Sequence, residues 1–419
     1  MKTPLLSLDQ AVEIVIETAL ALRDCKPAAL RTVSIWEASG LVLAEDVRAD
    51  RPLPPFDKSM MDGYAFRFDD IAGLTRDEKK VFDVVGEVAA GGSFSRPLAA
   101  GEAVAIMTGA PLPEGADTVQ IVEVCERDED TVIVRGGLNR GENVTQLGGQ
   151  AIAGEVVVER GRIIESLTAG VLATVGKAQV DVYRRPRVTV IATGDELVNV
   201  EDTPEASQIR DSNRRTLMAL AESEWCRVVD GGIIRDEREA LRMAIREGLE
   251  GDVLVLSGGV SAGAYDYVRE CLEAEGVGIL FHQVAIKPGK PVLFGRTATT
   301  LVFGLPGNPV SSFVTATVLL TPALRVLGRR PDHRSWELRV PLTDGVIPPT
   351  GKRTTFHPGV IIRAAGPMGI GVRSRTWDGS ADHIRYARSN VLIRREADSG
   401  AASPGDVVSI VLPRSLVQW

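Results

Sequence analysis

Val253-Leu254-Val255-Leu256-Ser257-Gly258-Gly259-Val260-Ser261-Ala262-Gly263 is the stretch that decides the fold of this 419-residue chain. A short apolar run passes directly into a glycine-rich turn, and helical apolar spacing follows. A buried strand feeding a loop and then a helix reads this way. Leu301-Val302-Phe303-Gly304-Leu305-Pro306-Gly307-Asn308-Pro309-Val310-Ser311 repeats the pattern, and Lys287-Pro288-Gly289-Lys290-Pro291 lies between the two. Such turns aim backbone N–H groups and a helix N-terminus at one spot, which favours an anion and most often a phosphate. Lys287 and Lys290, held between prolines that fix φ, place compact positive charge beside it.

Working outward, Pro186 marks a boundary, and Arg187 to Thr193 reads as an apolar strand that ends in the acidic turn Gly194-Asp195-Glu196-Leu197. Asp211-Ser212-Asn213 begins a helix that runs through Ala221. Val228 to Ile234 is a strand, and Asp236 is placed to cap a helix ending near Glu250. Strands alternating with helices imply a largely parallel α/β sheet over residues 186–330. Ligands of such sheets sit at the strand C-termini, so the loops at Glu196, Asp236, Ser257 and Gly304 should share one edge. Asp211 reads better as a cap than as a catalyst, and Asp195 as an orienter of its own turn.

The flanking regions follow other patterns. Ser7 and Gln10 resemble a capping box, and Val12, Val15, Ala19 and Leu22 predict an amphipathic helix over 8–23. A short helix or turn over Val33 to Ser39 and a strand over Leu41 to Val47 come next. Pro54-Pro55-Phe56-Asp57-Lys58-Ser59-Met60-Met61-Asp62-Gly63-Tyr64-Ala65 is a proline-stiffened loop able to present a carboxylate at a fixed place. Val81 to Val158 shows short β-like runs, within which Met107 to Asp117 forms another punctuated loop. Helical spacing returns over Ser166 to Val175, and Gln179 to Tyr183 reads as a strand. Past Arg329-Arg330-Pro331, short β segments at Trp336 to Pro341, Thr354 to Ile362, Val391 to Ile393 and Val407 to Leu412 predict a C-terminal β domain or barrel.

Composition narrows the function class. At 44% hydrophobic and 25% charged, the chain has the balance of a globular protein large enough for several domains. A net charge of −8 argues against general nucleic-acid binding, although a local basic pocket remains compatible with it. Cys25, Cys125, Cys226 and Cys271 are scattered without a CxxC pair, so free thiols fit better than a disulfide framework or a zinc site. The N-terminus lacks signal-peptide features and no apolar run reads as a membrane span, which places the chain in the cytoplasm.

Seven motifs in order carry a resemblance. They are Pro54-to-Ala65, Met107-to-Asp117, Thr193-to-Leu197, Asp211-to-Asn213, Ser257-to-Asp266, Lys287-to-Pro291 and Gly304-to-Ser311. Together they resemble the molybdopterin molybdenumtransferase family of the MoeA type, related to the E domain of gephyrin. The resemblance implies an α/β multidomain chain in four parts. An elongated linker domain would comprise residues 1–50 and 151–185, with an inserted β-rich domain over 51–150. The α/β molybdopterin-binding domain would cover 186–330 and a C-terminal β domain 331–419. It further implies a homodimer whose active site joins the α/β domain of one subunit to the inserted domain of the other. The implied reaction moves molybdenum from molybdate into adenylylated molybdopterin, releasing AMP with the help of Mg²⁺. Asp62, Glu196, Asp236 and Asp266 would then serve as the catalytic carboxylates, with Glu196, Asp236 and Asp266 holding the metal. Thr108, Ser257, Gly258, Gly259, Lys287, Lys290, Pro306, Gly307, Asn308, Pro309 and Ser311 would bind the pterin substrate and its phosphate. A molybdopterin adenylyltransferase or a molybdoenzyme is the implied protein partner.

One loop departs from the family pattern. Thr145 stands where the family carries arginine, and Gly149-Gln150 replaces a Glu-Asp pair. Threonine cannot supply a guanidinium's bidentate anion grip, nor glutamine a carboxylate's charge. Two readings therefore stay open: an active transferase, and a diverged paralogue that binds molybdopterin or a molybdoenzyme without turnover. The C-terminal domain also departs, at Thr354 to Pro358, while Gly379-Ser380-Ala381-Asp382 keeps the look of the family's late glycine-serine turn.

Overall fold

The computed structural model describes residues 5–25, 27–259, 267–334, 337–364 and 369–413. At its centre is a six-stranded sheet built from β1 (Arg187–Thr193), β2 (Arg227–Ile234), β3 (Val253–Ser257), β4 (Gly278–Gln283), β5 (Pro291–Arg296) and β6 (Leu301–Leu305). The spatial order is β2-β1-β3-β6-β5-β4, with β2, β1, β3 and β6 parallel. The antiparallel strands β5 and β4 finish one edge, a reversal absent from the sequence reading. Val253, Leu254, Val255 and Leu256 of β3 are all fully buried, as a parallel strand covered on both faces must be.

Alternate residues of β3 feed two cores. Val253 and Val255 pack with Leu217, Leu220, Leu319 and Leu324 on one face. Leu254 and Leu256 pack with Leu241, Ile245 and Val268 on the other. The helix Leu8–Asp24 joins the first core through Ala11, Val15, Ala19 and Leu22, so it packs on the α/β domain and not on the linker. Its capping box forms as expected: Ser7 Oγ accepts from the Gln10 N–H and Gln10 Oε1 from the Ser7 N–H.

The expectation that no apolar run is long enough to span a membrane is corrected by Pro309–Leu327. This 19-residue helical run is long and apolar enough by composition, but 89% of its most apolar window is buried within the protein. It is the central helix of the α/β core, and that explains its hydrophobicity all round.

The other bodies organise around this sheet. Leu30–Ser34 pairs antiparallel with Gln179–Tyr183, and Val47–Arg48 with Val156–Val158. Val33, Leu43, Ile164, Leu172 and Val182 share one small core, although the segments lie far apart in sequence. The helix or turn expected from Val33 is thus a strand running into a turn, and the strand expected over 41–47 is reduced to bridges at Val42 and Leu43 before Val47–Arg48. The turn alternative holds over 35–37 and 39–40, and long-range pairing made strand of Val33 and Ser34 before it and reduced the strand over 41–47. A second six-stranded sheet, with Gly63–Phe66 and Lys79–Val88 among its strands, forms the inserted body around Phe66, Phe82 and Val132.

The C-terminal body closes on itself. Thr354–Arg363 pairs with both Ile370–Ser374 and Val391–Arg395, and Glu337–Asp344 with Val407–Val411 completes the barrel. Ile370–Ser374 was not anticipated, and Trp336 lies outside the described residues. Ile286–Lys287 adds to this sheet, pairing with Thr354 and Thr355. The middle lysine turn is therefore stitched to the barrel while its next strand, β5, belongs to the α/β sheet.

Candidate active site

Strand register builds the site. Thr193 aligns with Ile234, Ala192 with Ser257 and Ser257 with Leu305, so the C-terminal ends of the four parallel strands form one line. The loops that follow, carrying Glu196, Asp236, Gly258 and Gly307, open into a cleft of about 980 Å³. The lysine turn and the barrel residues Arg353, Trp377, Ser380 and His383 close its far side. A crevice outside the carboxyl ends of a parallel sheet is where ligands of open α/β folds bind.

The floor is made of backbone. Gly258 and Gly259 have φ of +96° and +65°, and a Cβ on Gly258 would come within 2.4 Å of the Thr193 carbonyl oxygen. Asn213 Nδ2 donates to Ser257 Oγ at 3.0 Å and to the Gly307 carbonyl at 2.6 Å, tying the first and third glycine turns together. Asn308 Nδ2 donates to Ser380 Oγ at 2.8 Å, and the Val310 N–H to the Ser380 carbonyl at 3.0 Å, so the third turn also grips the barrel. Ser311 is buried beneath it, in the first turn of the helix that starts at Pro309. Lys287 and Lys290 are exposed on the wall facing this floor.

The acidic side is equally defined. A Cβ on Gly194 would lie 2.5 Å from Glu196 Oε2, so the Glu196 carboxylate folds back over the end of β1. Asp195 Oδ1 accepts from the Asp236 N–H at 3.2 Å, so its side chain joins the loops after β1 and β2 instead of bonding within its own turn. Burial, then the charges of Asp195 and Glu196, push the Asp236 carboxyl above the usual carboxylate range. Asp236 is not the helix cap expected: Glu237 occupies that position in Arg238–Gly248, which leaves Asp236 free to face the cleft. Asp211, one residue before the N-cap Ser212, does satisfy the first turn, accepting the Arg214 N–H at 3.0 Å.

Asp62 and Thr108 stand apart from this cleft, in the inserted body. The Thr108 N–H and hydroxyl donate to Asp62 Oδ1 at 2.6 and 2.7 Å, and the backbone bond first, then the hydroxyl, hold the carboxyl below its ordinary range. Thr145 lies near this pair, since Val144–Thr145 pairs with Lys58–Ser59 and the Met60 N–H donates to the Asn143 carbonyl at 2.8 Å. Asp266 lies outside the described residues. The fold thus gathers Glu196, Asp236, Ser257, Gly258, Gly259, Lys287, Lys290, Pro306, Gly307, Asn308, Pro309 and Ser311 around one cleft and leaves Asp62 and Thr108 on a second surface.

Arg210, Arg353, Trp377 and His383 line the cleft but stand outside the motifs, and Asn213, quoted within the Asp211-to-Asn213 motif, was given no role. Ser380 belonged to a turn that was noticed but given no role.

An α/β domain with an anion cradle facing carboxylates, carried beside an inserted β body and a C-terminal barrel, defines the class: a multidomain protein with an anion-binding cleft at the ends of a parallel sheet. Residues 6–176 match the model of the MoeA N-terminal region (domain I and II), and residues 189–326 match that of a probable molybdopterin binding domain. The chain is 34% identical over 414 residues to a molybdopterin molybdenumtransferase of Haemophilus influenzae, covering 97% of this chain and 98% of that one. It is 33% identical over 408 residues to molybdopterin molybdenumtransferase 2 of Mycobacterium tuberculosis, covering 95% and 96%. The crystal structure of a molybdopterin biosynthesis moeA protein from Pyrococcus horikoshii OT3 superposes with a TM-score of 0.82 at 26% identity, over 98% of this chain and all of that one. The chain belongs to the MoeA family of molybdopterin molybdenumtransferases.

Proposed function

We propose that this protein transfers molybdenum from molybdate into adenylylated molybdopterin, releasing AMP. One observation carries the reading: a cleft at the strand ends sets Lys287, Lys290, Arg353 and the glycine turns against Glu196 and Asp236. Phosphate and molybdate are anions and need N–H donors and cations, while a divalent metal needs carboxylate oxygens. Lys287 and Lys290 would hold the anionic substrates. Asn213 would keep the first and third turns in register as they close on the phosphate.

Glu196 and Asp236 are oxygen donors of the kind Mg²⁺ takes, although the described residues alone hold no cluster of three metal-ligating side chains. Asp236 is held above the usual carboxylate range by burial and by two acidic neighbours, an arrangement that a bound cation would relieve. Glu196 and Asp236 would hold the ion, together with Asp266 from outside the described residues. When bound, Mg²⁺ would withdraw charge from the phosphate oxygens of the departing AMP.

Asp62 and Thr108 enter the chemistry if a second copy lays its inserted body over the cleft, which is the reading we adopt for a homodimer. Met60, Met61 and Met107 beside them are exposed, as a covered surface would require. Cytoplasmic location and a molybdopterin adenylyltransferase or molybdoenzyme as partner complete the proposal. Adding molybdate to the protein with adenylylated molybdopterin and Mg²⁺ tests it: AMP should be released, and absence of release with authentic substrate removes the reading.

A second reading rests on Thr145, Gly149 and Gln150. Thr145 lies in the strand that pairs with Lys58–Ser59, on the surface that bears Asp62, and brings no guanidinium there. A paralogue binding molybdopterin without turnover would gain activity from Thr145→Arg, Gly149→Glu and Gln150→Asp. Unchanged AMP release in the triple variant counts against it.

A further inference from the structure

We propose that Trp377 is a specificity-determining residue of the cleft, a wall against which the flat fused-ring heterocycle of the substrate stacks. The inference rests on the transferase reading of the site and assigns a role to an indole that none of the site motifs contains.

The cleft is otherwise built for charge. Two lysines, two arginines, carboxylates and backbone N–H groups line it, and these recognise phosphates, an oxyanion and a cation. Of these, only the cations can engage the π-face of a heterocycle, and none offers the broad apolar surface of an aromatic ring. A substrate made of a pterin joined through phosphates to an adenosine carries two such faces, and aromatic side chains are the usual partners of a flat nitrogen heterocycle. Trp377 is the one aromatic side chain apart from His383 among the described residues lining the cleft.

Its setting is that of a preorganised surface. The Trp377 ring lies 5.4 Å from that of Tyr386 at an interplanar angle of 76°, and 6.4 Å from that of His357 at 87°. Tyr386 and His357 are both buried and belong to the protein interior, so the half-buried indole is braced from behind and exposed towards the cleft. The chain around it is pinned. The Arg375 N–H donates to the Pro358 carbonyl at 2.9 Å, the Asp378 N–H to Asp382 Oδ2 at 2.9 Å, and Ser380 is held by Asn308 and Val310. A ring already held in one orientation loses little entropy when a ligand stacks on it.

The two candidate rings, pterin and adenine, share the chemistry and are separable by experiment. Binding of AMP, ribose 5-phosphate, molybdopterin and molybdate is measured by calorimetry on the full-length protein and on Trp377→Ala and Trp377→Phe. Trp377→Ala should weaken binding of one ring-bearing ligand about tenfold, the size of one aromatic stacking contact, with ribose 5-phosphate and molybdate unchanged. Trp377→Phe should recover most of that loss. A selective loss for AMP assigns the adenine, and a selective loss for molybdopterin assigns the pterin. Ratios between ligands within one preparation are independent of the fraction folded, so a destabilised variant still reports. Equal weakening of all four ligands, or of none, overturns the proposal. AMP release by the unmodified protein is followed in parallel: turnover with unaltered selectivity in Trp377→Ala sinks the stacking alone, whereas absence of both turnover and ligand binding sinks the transferase reading as well.

Discussion

His357 shows how one residue reports on the site beside it. Burial first, then the positive charges of Lys287 and Arg395, lower its pKa from 6.5 to about 4. The ring stays neutral at physiological pH and adds no charge to the lysine wall. The folded state therefore binds this proton less readily than the unfolded chain does. Its contribution to stability is complete above 6.5 and is lost as pH falls from 6.5 towards 4. The full difference amounts to roughly 3 kcal/mol. Urea unfolding between pH 7 and 4 should show this decline, and His357→Gln should flatten it. The lysines act directly: Lys287→Ala or Lys290→Ala should weaken molybdate binding about 10- to 100-fold, the worth of one charge-assisted hydrogen bond, as read by equilibrium dialysis. Both lysines were legible in sequence because prolines and a glycine fix the turn around them. Arg353, Trp377 and His383 were not, because the barrel that carries them reaches the cleft through tertiary contacts, the pairing of Ile286–Lys287 with Thr354–Thr355 and the bonds of Asn308 and Val310 to Ser380.

Among the elements, the glycine turns are the most exacting. Gly258→Ala forces a Cβ to within 2.4 Å of the Thr193 carbonyl at a φ of +96°. The backbone there must shift, at a cost of about 1–3 kcal/mol, and the cradle should lose its geometry with it. A lowered unfolding midpoint together with lost phosphate binding is expected, and unaltered binding would show that the turn does not touch the ligand. Arg325 and Glu224 make a bidentate pair at 2.8 Å, both nearly fully buried, joining the long core helix to the end of Asn213–Ser223. Glu224→Ala leaves a buried guanidinium without its carboxylate and should destabilise by about 3–5 kcal/mol, measured as a loss of melting temperature. The parallel strands and their helices were readable because burial on both faces leaves a continuous apolar run between turns. The linker strand at Leu30–Ser34 was not, since its partner lies at Gln179–Tyr183 and its own five residues are mostly exposed.

For the whole molecule, the separation of Asp62 and Thr108 from the cleft makes a prediction about assembly. If two copies complete each other's sites, Asp62→Ala and Lys287→Ala damage different halves of the same site. Each variant alone should release no AMP. An equal mixture, dissociated and reassembled at random, should regain about a quarter of wild-type activity, because half the dimers are mixed and each of those holds one intact site of two. A mixture that stays inactive would place both halves within one chain.

Legible in the chain alone were the apolar strand runs of the α/β core, the glycine turns after them, the two lysines and the acidic turn at Glu196, because each is marked by a pattern within a few residues. Only the tertiary structure decided that Lys287 is anchored to the C-terminal barrel, that Arg353, Trp377 and Ser380 complete the cleft, and that Asp62 and Thr108 face elsewhere. Those relations are set by strand pairing between distant segments, and the energy of such pairing resides in packing that no local pattern encodes. The stretch from Val253 to Gly259 supplies the strand and the turn. What the turn can hold depends on the walls that the rest of the fold brings against it.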